Sequence, residues 1–290
     1  MRRILVTGAN KGIGLALTKA ILSDHDDTFV YLGSRDRGRG EAARASLVSA
    51  EPTWAERVQC IELDVSSDAS VQAAAANIAD ALDAPLYGVV NNAGIGDGSA
   101  DLHDVLNVNT LGTARVCEAF LPLLEARGGR VVNVTSASGP NFVHDCSAAQ
   151  QRFFVDDSHS WPQLKAFMDA CLAYPDEAAF GAAGLGTGKA YGLSKACGNT
   201  YTLLLARLNP DLRINACTPG FIETDMTRPY AESTGRTPES MGMKPPAEGT
   251  RSAMFLLFDE PQGNGRFYGS DAQRSPLDRY RAPGSPPFTG

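Results

Sequence analysis

Short apolar runs recur along the chain, at 3–7, 29–33, 58–63, 86–91, 130–135, 213–217 and 266–268, each separated from the next by a longer mixed segment. Several are continuous rather than alternating, as in Ile4-Leu5-Val6 and Val131-Val132, the pattern of parallel strands covered on both faces. The segments at 13–23, 39–50, 68–83, 104–126, 192–207 and 247–257 have helical length and spacing. Such alternation predicts one doubly wound α/β domain over 1–269, with about seven parallel strands and helices on both faces. Pro122 should kink or end the fourth helical segment.

Two segments break the rhythm. Residues 139–189 form a helical insertion after the fifth strand, with helical patterns at 148–155 and 161–172. Residues 225–246 contain Pro229, Pro238, Pro245 and Pro246 and read as an irregular loop. Ligands of open α/β sheets bind beyond the carboxyl ends of the strands, where both segments begin. Both are therefore candidate substrate walls, solvent-facing decoration being the plainer alternative. The proline-rich stretch 270–290 is expected to be a poorly ordered tail.

Composition narrows the partners. At 43% apolar the chain of 290 residues can bury a core, which excludes a disordered or fibrous protein. No apolar run approaches the roughly 18 residues of a membrane span. Met1-Arg2-Arg3 leads straight into Ile4 without the pattern of a signal peptide, so a cytoplasmic location is expected. A net charge of −7 and the lack of a basic patch argue against nucleic acid or an anionic membrane as partner. The six cysteines are widely spaced, which fits free thiols. The four histidines show no ligand spacing, so no metal is expected.

The first strand runs into Thr7-Gly8-Ala9-Asn10-Lys11-Gly12-Ile13-Gly14 and a helix. Glycines at a strand–helix junction permit a tight turn and bring backbone N–H groups close to a pyrophosphate. The second strand ends in Ser34-Arg35-Asp36. Ser34 occupies the slot where an acid would bind a ribose 2′-hydroxyl, and Arg35 suits a 2′-phosphate. With Lys11 as a second positive charge, NADP(H) is favoured over NAD(H), although Asp36 turned to the ribose would reverse the choice. Asp64 and Val65 close the third strand, placing Asp64 near an adenine amino group. Asn91, Ala93 and Gly94, at the end of the fourth strand, suit a ribose wall or steady the sheet.

Tyr191 and Lys195 lie four apart at a helix start, hence on one face. An adjacent ammonium favours the phenolate and makes the tyrosine a usable acid–base group for a carbonyl oxygen. Ser136, or failing it Ser138, is placed after the fifth strand to hold that oxygen. No nucleophile elbow or His/Asp partner accompanies these serines. Asn109 is either the anchor of a relay water or a residue at a helix kink.

In order along the chain, TGxxxGxG at 7–14, NNAG at 91–94, Asn109, Ser136, YxxxK at 191–195 and Pro219-Gly220-x3-Thr224 resemble the short-chain dehydrogenase/reductase family, a Rossmann-like fold. Gly129–Val134, Asn215-Ala216-Cys217 and Thr224-Asp225-Met226 are similar to its NADPH-dependent carbonyl reductases, as is the long interval between Ser136 and Tyr191. The resemblance implies reduction of an aldehyde, ketone or quinone by NADPH, with Tyr191 as proton donor and Lys195 lowering its pKa and binding the nicotinamide ribose. It further implies that Ser136 orients the carbonyl, Asn109 holds the relay water, and Pro219, Gly220 and Thr224 cradle the carboxamide. It also implies a monomer, the inserted helices covering the surface through which other members associate. Phe221 stands where those reductases carry Trp and is the expected substrate wall. A narrow biosynthetic ketoreductase and a silent NADP(H)-binding sensor are the alternatives.

Overall fold

The computed structural model describes residues 1–98, 100–186 and 190–290. Its centre is one sheet of strands β1 (Arg2–Val6), β2 (Thr28–Ser34), β3 (Val58–Glu62), β4 (Gly88–Asn91), β5 (Arg130–Val134), β6 (Arg213–Cys217), β7 (Phe267–Tyr268) and β8 (Arg274–Ser275). Their order is β3-β2-β1-β4-β5-β6-β7-β8. All neighbours are parallel except β7 and β8, so the seven expected parallel strands gain an antiparallel eighth. The chain winds outward from β1 to β3, then returns to lay β4 against β1, and this reversal opens a crevice at the strand ends.

The helices are α1 (Gly12–Asp24), α2 (Arg37–Ala50), α3 (Asp68–Ala81), α4 (Leu102–Leu106), α5 (Gly112–Phe120), α6 (Ser138–Asp145), α7 (Ala148–Val155), α8 (Trp161–Leu172), α9 (Glu177–Ala182), α10 (Ala190–Leu208), α11 (Arg228–Ser233) and α12 (Arg251–Phe258). Side-chain caps set many of the starts: Asp36, Ser67, Asp101, Ser147 and Asp176 each accept a backbone N–H, and Ser160 with Gln163 forms a capping box. Each cap is worth about 1 kcal/mol. A π-turn over Asn107–Leu111 joins α4 to α5, with the Gly112 N–H reaching back to the Asn107 carbonyl. That helix gives way at Leu121–Leu123 to a 3₁₀ turn carrying Pro122, as the proline requires.

Alternate residues of the central strands feed two cores. Leu5, Tyr31, Val89, Val131 and Ile214 pack with α3, α5 and α10, while Ile4, Val6, Val30, Leu32, Val90 and Val132 pack with α1, α2 and α12. The first core extends outward through Phe142, Phe154, Leu164 and Phe180 of the insertion. In consequence every residue of α10 from Gly192 to Ala206 is buried, between the sheet and α6–α8. The insertion holds two helices, α6 and α9, beyond the two expected, and its last residues, 187–189, lie outside the described residues.

The 270–290 stretch departs from the expected disordered tail. Its β8 pairs with β7, and Arg281, 9% exposed, directs both terminal nitrogens to Asp271 Oδ2 at 3.0 and 2.5 Å. A partly buried ion pair ten residues apart and a local ladder with β7 organise residues that the prolines alone would leave loose. All six cysteines are free thiols. No helix among the described residues is long and apolar enough to cross a membrane.

Candidate active site

Glycine is required at the end of β1 for lack of space. Gly8 and Gly12 have φ of +62° and +54°. A Cβ on Gly8 would sit 2.8 Å from Ala93 Cα, and one on Gly14 2.4 Å from the Gly8 carbonyl oxygen. The Asn92 amide donates to the Thr7 and Gly8 carbonyls at 2.9 and 3.2 Å, and Thr7 Oγ1 accepts the N–H groups of Asn92 and Ala93. Asn10 and Ile13 are half-buried in this turn. The first N–H groups of α1 have no side-chain cap, so the turn presents free donors at the positive end of a helix. This cradle, which side chains would fill, fits a dinucleotide pyrophosphate.

At the end of β2 the side chains divide. Ser34 is buried and donates to the Asp36 carbonyl, so its hydroxyl supports the turn. Asp36 caps α2 through the Arg39 N–H at 2.8 Å, which settles its orientation toward the helix. Arg35, Arg37 and Arg39 remain exposed, three guanidiniums within five residues. Helix α2 begins at Arg37, two residues before the expected segment, and carries both Arg37 and Arg39. Lys11 is not free to join them: its Nζ pairs with Asp225 Oδ2 at 2.7 Å.

Asp64 Oδ1 accepts the N–H and hydroxyl of Ser66 at 2.9 and 2.6 Å, which fixes the turn after β3. Val65 is buried, with Gly112 of α5 close against its carbonyl. Asn91 turns its amide into the sheet, to Asn133 Oδ1 at 2.8 Å and Cys117 Sγ at 3.3 Å, so its side chain steadies β4. Gly94 holds the centre of the site open: a Cβ there would lie 3.1 Å from Asn109 Oδ1 and 3.5 Å from Lys195 Nζ.

The π-turn aims Asn109 inward. Its amide accepts from the Ile95 N–H and donates to the Ile95 carbonyl, both at 2.9 Å, and donates to Ser194 Oγ at 3.0 Å. Asn109 is thus the residue at the helix kink, its side chain held by Ile95 and Ser194. A single extra residue per turn is a frequent device at functional sites. On α10, Lys195 is 5% exposed, donates to the Val134 carbonyl at 3.1 Å and stands 5.4 Å from the centre of the Tyr191 ring. Burial depresses its ammonium to about 8, with Cys217 opposing the shift. Burial raises the Tyr191 phenol, Ser136 pulls it back, and Asp97 adds to the rise. Ser136 is thereby the serine beside the phenol; its hydroxyl accepts the Ser138 N–H at 3.1 Å, while the Ser138 carbonyl backs onto Gly192. Thr135–Asn199 and Asn133–Thr202 hydrogen bonds of 2.7 and 2.8 Å bolt α10 to β5.

The 219–246 segment arches across the crevice. Gly220 takes φ +93° against Ser270, and the Pro219–Gly220 turn is held by the Gly220 N–H donating to Thr218 Oγ1. The Thr224 methyl lies 3.4 Å from where a Gly12 Cβ would be, and Met226 touches Gly96 from the other side. Phe221, Met226 and Tyr230 are 41%, 42% and 58% exposed, the large apolar side chains that this segment leaves at the surface. Much of the remainder is irregular, as its prolines require, with only α11 and a 3₁₀ turn at Glu239–Met241.

Known proteins resemble this chain in sequence and in fold. Residues 2–148 match the family described as short chain dehydrogenase. The chain is 33% identical to carbonyl reductase (NADPH) 3 of Rattus norvegicus over 267 residues, covering 84% of this chain and 92% of that protein. It is 32% identical to carbonyl reductase (NADPH) 1 of Homo sapiens over 277 residues, covering 90% and 92%. Menthone neomenthol reductase from Mentha piperita superposes with a TM-score of 0.75 at 26% identity, over 93% of this chain and 99% of that one.

Proposed function

Because the chain belongs to the short-chain dehydrogenase/reductase family and resembles its carbonyl reductase branch, we propose that it reduces a small carbonyl compound to the alcohol with NADPH. The observation that carries this reading is the meeting of Tyr191, Lys195, Ser136 and Asn109 beside the glycine cradle.

Gly8, Gly12, Gly14 and the start of α1 would receive the pyrophosphate, Arg35 with Arg37 the 2′-phosphate, Asp64 and Val65 the adenine side. Asn10, Ile13, Ala93 and Gly94 line the same cleft, and Pro219, Gly220 and Thr224 close its nicotinamide end. Bound NADPH supplies a hydride to the carbonyl carbon. The Ser136 hydroxyl holds the carbonyl oxygen, and Tyr191 donates its proton to that oxygen. Because burial raises the phenol, it stays protonated until the substrate needs it. The Lys195 ammonium stabilises the phenolate left behind. Asn109 and Lys195 approach one another across Gly94, where a water between them would return a proton from solvent.

The buried α10 and the covered β7 edge support a monomer, which light scattering would report as a single chain mass. For the reaction, Tyr191→Phe should reduce NADPH oxidation over a panel of aldehydes, ketones and quinones by at least a hundredfold, the scale of one lost acid–base group. NADPH affinity should stay within a few-fold. Substantial residual turnover would move the proton donor elsewhere, and binding without consumption by the unaltered protein would refute reductase activity on these classes.

A further inference from the structure

Asp97 exchanges no proton in the proposed reaction, yet it is fixed beside the proton donor. Its Oδ1 accepts the backbone N–H of Tyr191 at 2.6 Å, so the carboxylate is one tyrosine side-chain length from the hydroxyl that meets the substrate. It stands between Gly96 and Gly98 on an exposed turn, and Gly96 is in contact with Met226 of the opposite wall. Of the acids on that wall, Asp225 pairs with Lys11 and Arg228 and Glu223 with Arg228, while Glu232 and Glu239, farther along the segment, enter no ion pair among the described residues. Among the described residues Asp97 enters no ion pair. Asp97 is solvent-exposed, so water weakens its field, and the Lys195 ammonium lies on the far side of the Tyr191 ring; the exposed Phe221, Met226 and Tyr230 of the 219–246 segment suit aryl or quaternary ammonium substituents. The guanidiniums of Arg35, Arg37 and Arg39 belong to the far, adenosine end.

We propose that Asp97 sets the charge preference of the substrate: the site takes neutral or cationic, amine-bearing carbonyl compounds and rejects those with a carboxylate or phosphate near the reacting carbon. The proposal rests on the reductase reading. At roughly 8 Å and an effective dielectric of about 40, one charge alters kcat/KM by about fivefold in each direction.

The test uses the full chain, NADPH and three aldehydes of one shape: para-carboxybenzaldehyde, its methyl ester, and para-trimethylammoniobenzaldehyde. Relative to the ester, the cation should be preferred and the acid disfavoured. Asp97→Asn keeps an oxygen for the Tyr191 N–H and removes the charge. In that variant the acid-to-ester ratio of kcat/KM should rise about fivefold and the cation-to-ester ratio fall about fivefold. Turnover of the ester with ratios unmoved by the substitution, including a proportional loss on all three, overturns the selector and leaves the reductase intact. No NADPH consumption on any of the three by the unaltered protein overturns both.

Discussion

Replacing Lys195 by Met tests whether the centre of the site is as dry as its packing implies. The buried ammonium is depressed from 10.5 to about 8, so holding it charged at pH 7 costs about 3 kcal/mol, at 1.36 kcal/mol per pKa unit. A lysine depressed on folding binds fewer protons in the native than in the unfolded state between pH 8 and 10.5, so its contribution to stability becomes more favourable as pH rises through that window. Methionine has similar length and no charge to desolvate. The variant should therefore gain stability over the parent at pH 7, less about 1 kcal/mol for the lost hydrogen bond to Val134. By pH 9.5 the difference should shrink by about 2 kcal/mol. Urea unfolding of both proteins without cofactor, at pH 7, 8.5 and 9.5, reads it directly. Subtracting one profile from the other removes the titration of the buried cysteines, which shifts stability in the opposite direction. A constant offset across the three pH values would show that Lys195 ionises as in water, and would refute the depressed pKa.

NADPH should raise the melting temperature more than NADH at equal concentration, and Arg35→Ala should erase much of the gap, since a charge-assisted contact of about 1.5–3 kcal/mol is at stake. Equal shifts by the two cofactors would overturn the assignment of the 2′-phosphate to this corner. Arg281→Met should destabilise the fold by about 2 kcal/mol by leaving half-buried Asp271 without its partner, and adding Asp271→Leu should recover part of the loss. Urea midpoints that barely move would mean the pair is wetter than its burial implies.

The elements legible in the sequence were those declared by neighbours in the chain. Ile4-Leu5-Val6 marks a buried strand, the apolar spacing over 161–172 a helix, and Tyr191 with Lys195 a shared helix face. Helix α6 escaped because Gly139-Pro140 reads as a turn, although proline is tolerated in a first helical turn. Pairings outside a regular element left no trace in the pattern: Lys11 meets Asp225 from the other end of the chain, and Arg281 meets Asp271 ten residues away within a stretch whose prolines suggest disorder. Ser34 reads as a ribose contact yet braces its own turn, and Asn91 reads equally as ribose wall or sheet brace, because a strand residue faces core or cleft according to a register that only the neighbouring strands set. Asp97 carried no motif at all; its meaning comes from the amide it reaches across the crevice.

The π-turn at Asn107–Leu111 places the helix beyond it one residue out of step with a regular α-helix. Deleting one residue there would restore unbroken i to i−4 bonding, and by backbone criteria alone the helix would be improved. The same deletion would rotate one half of the helix against the other by about 100°. Asn109 would then leave Ile95 and Ser194, or Gly112 would leave its close seat on Val65. A change that perfects the local structure would dismantle the site, so at this turn the most regular helix and the working one are different molecules.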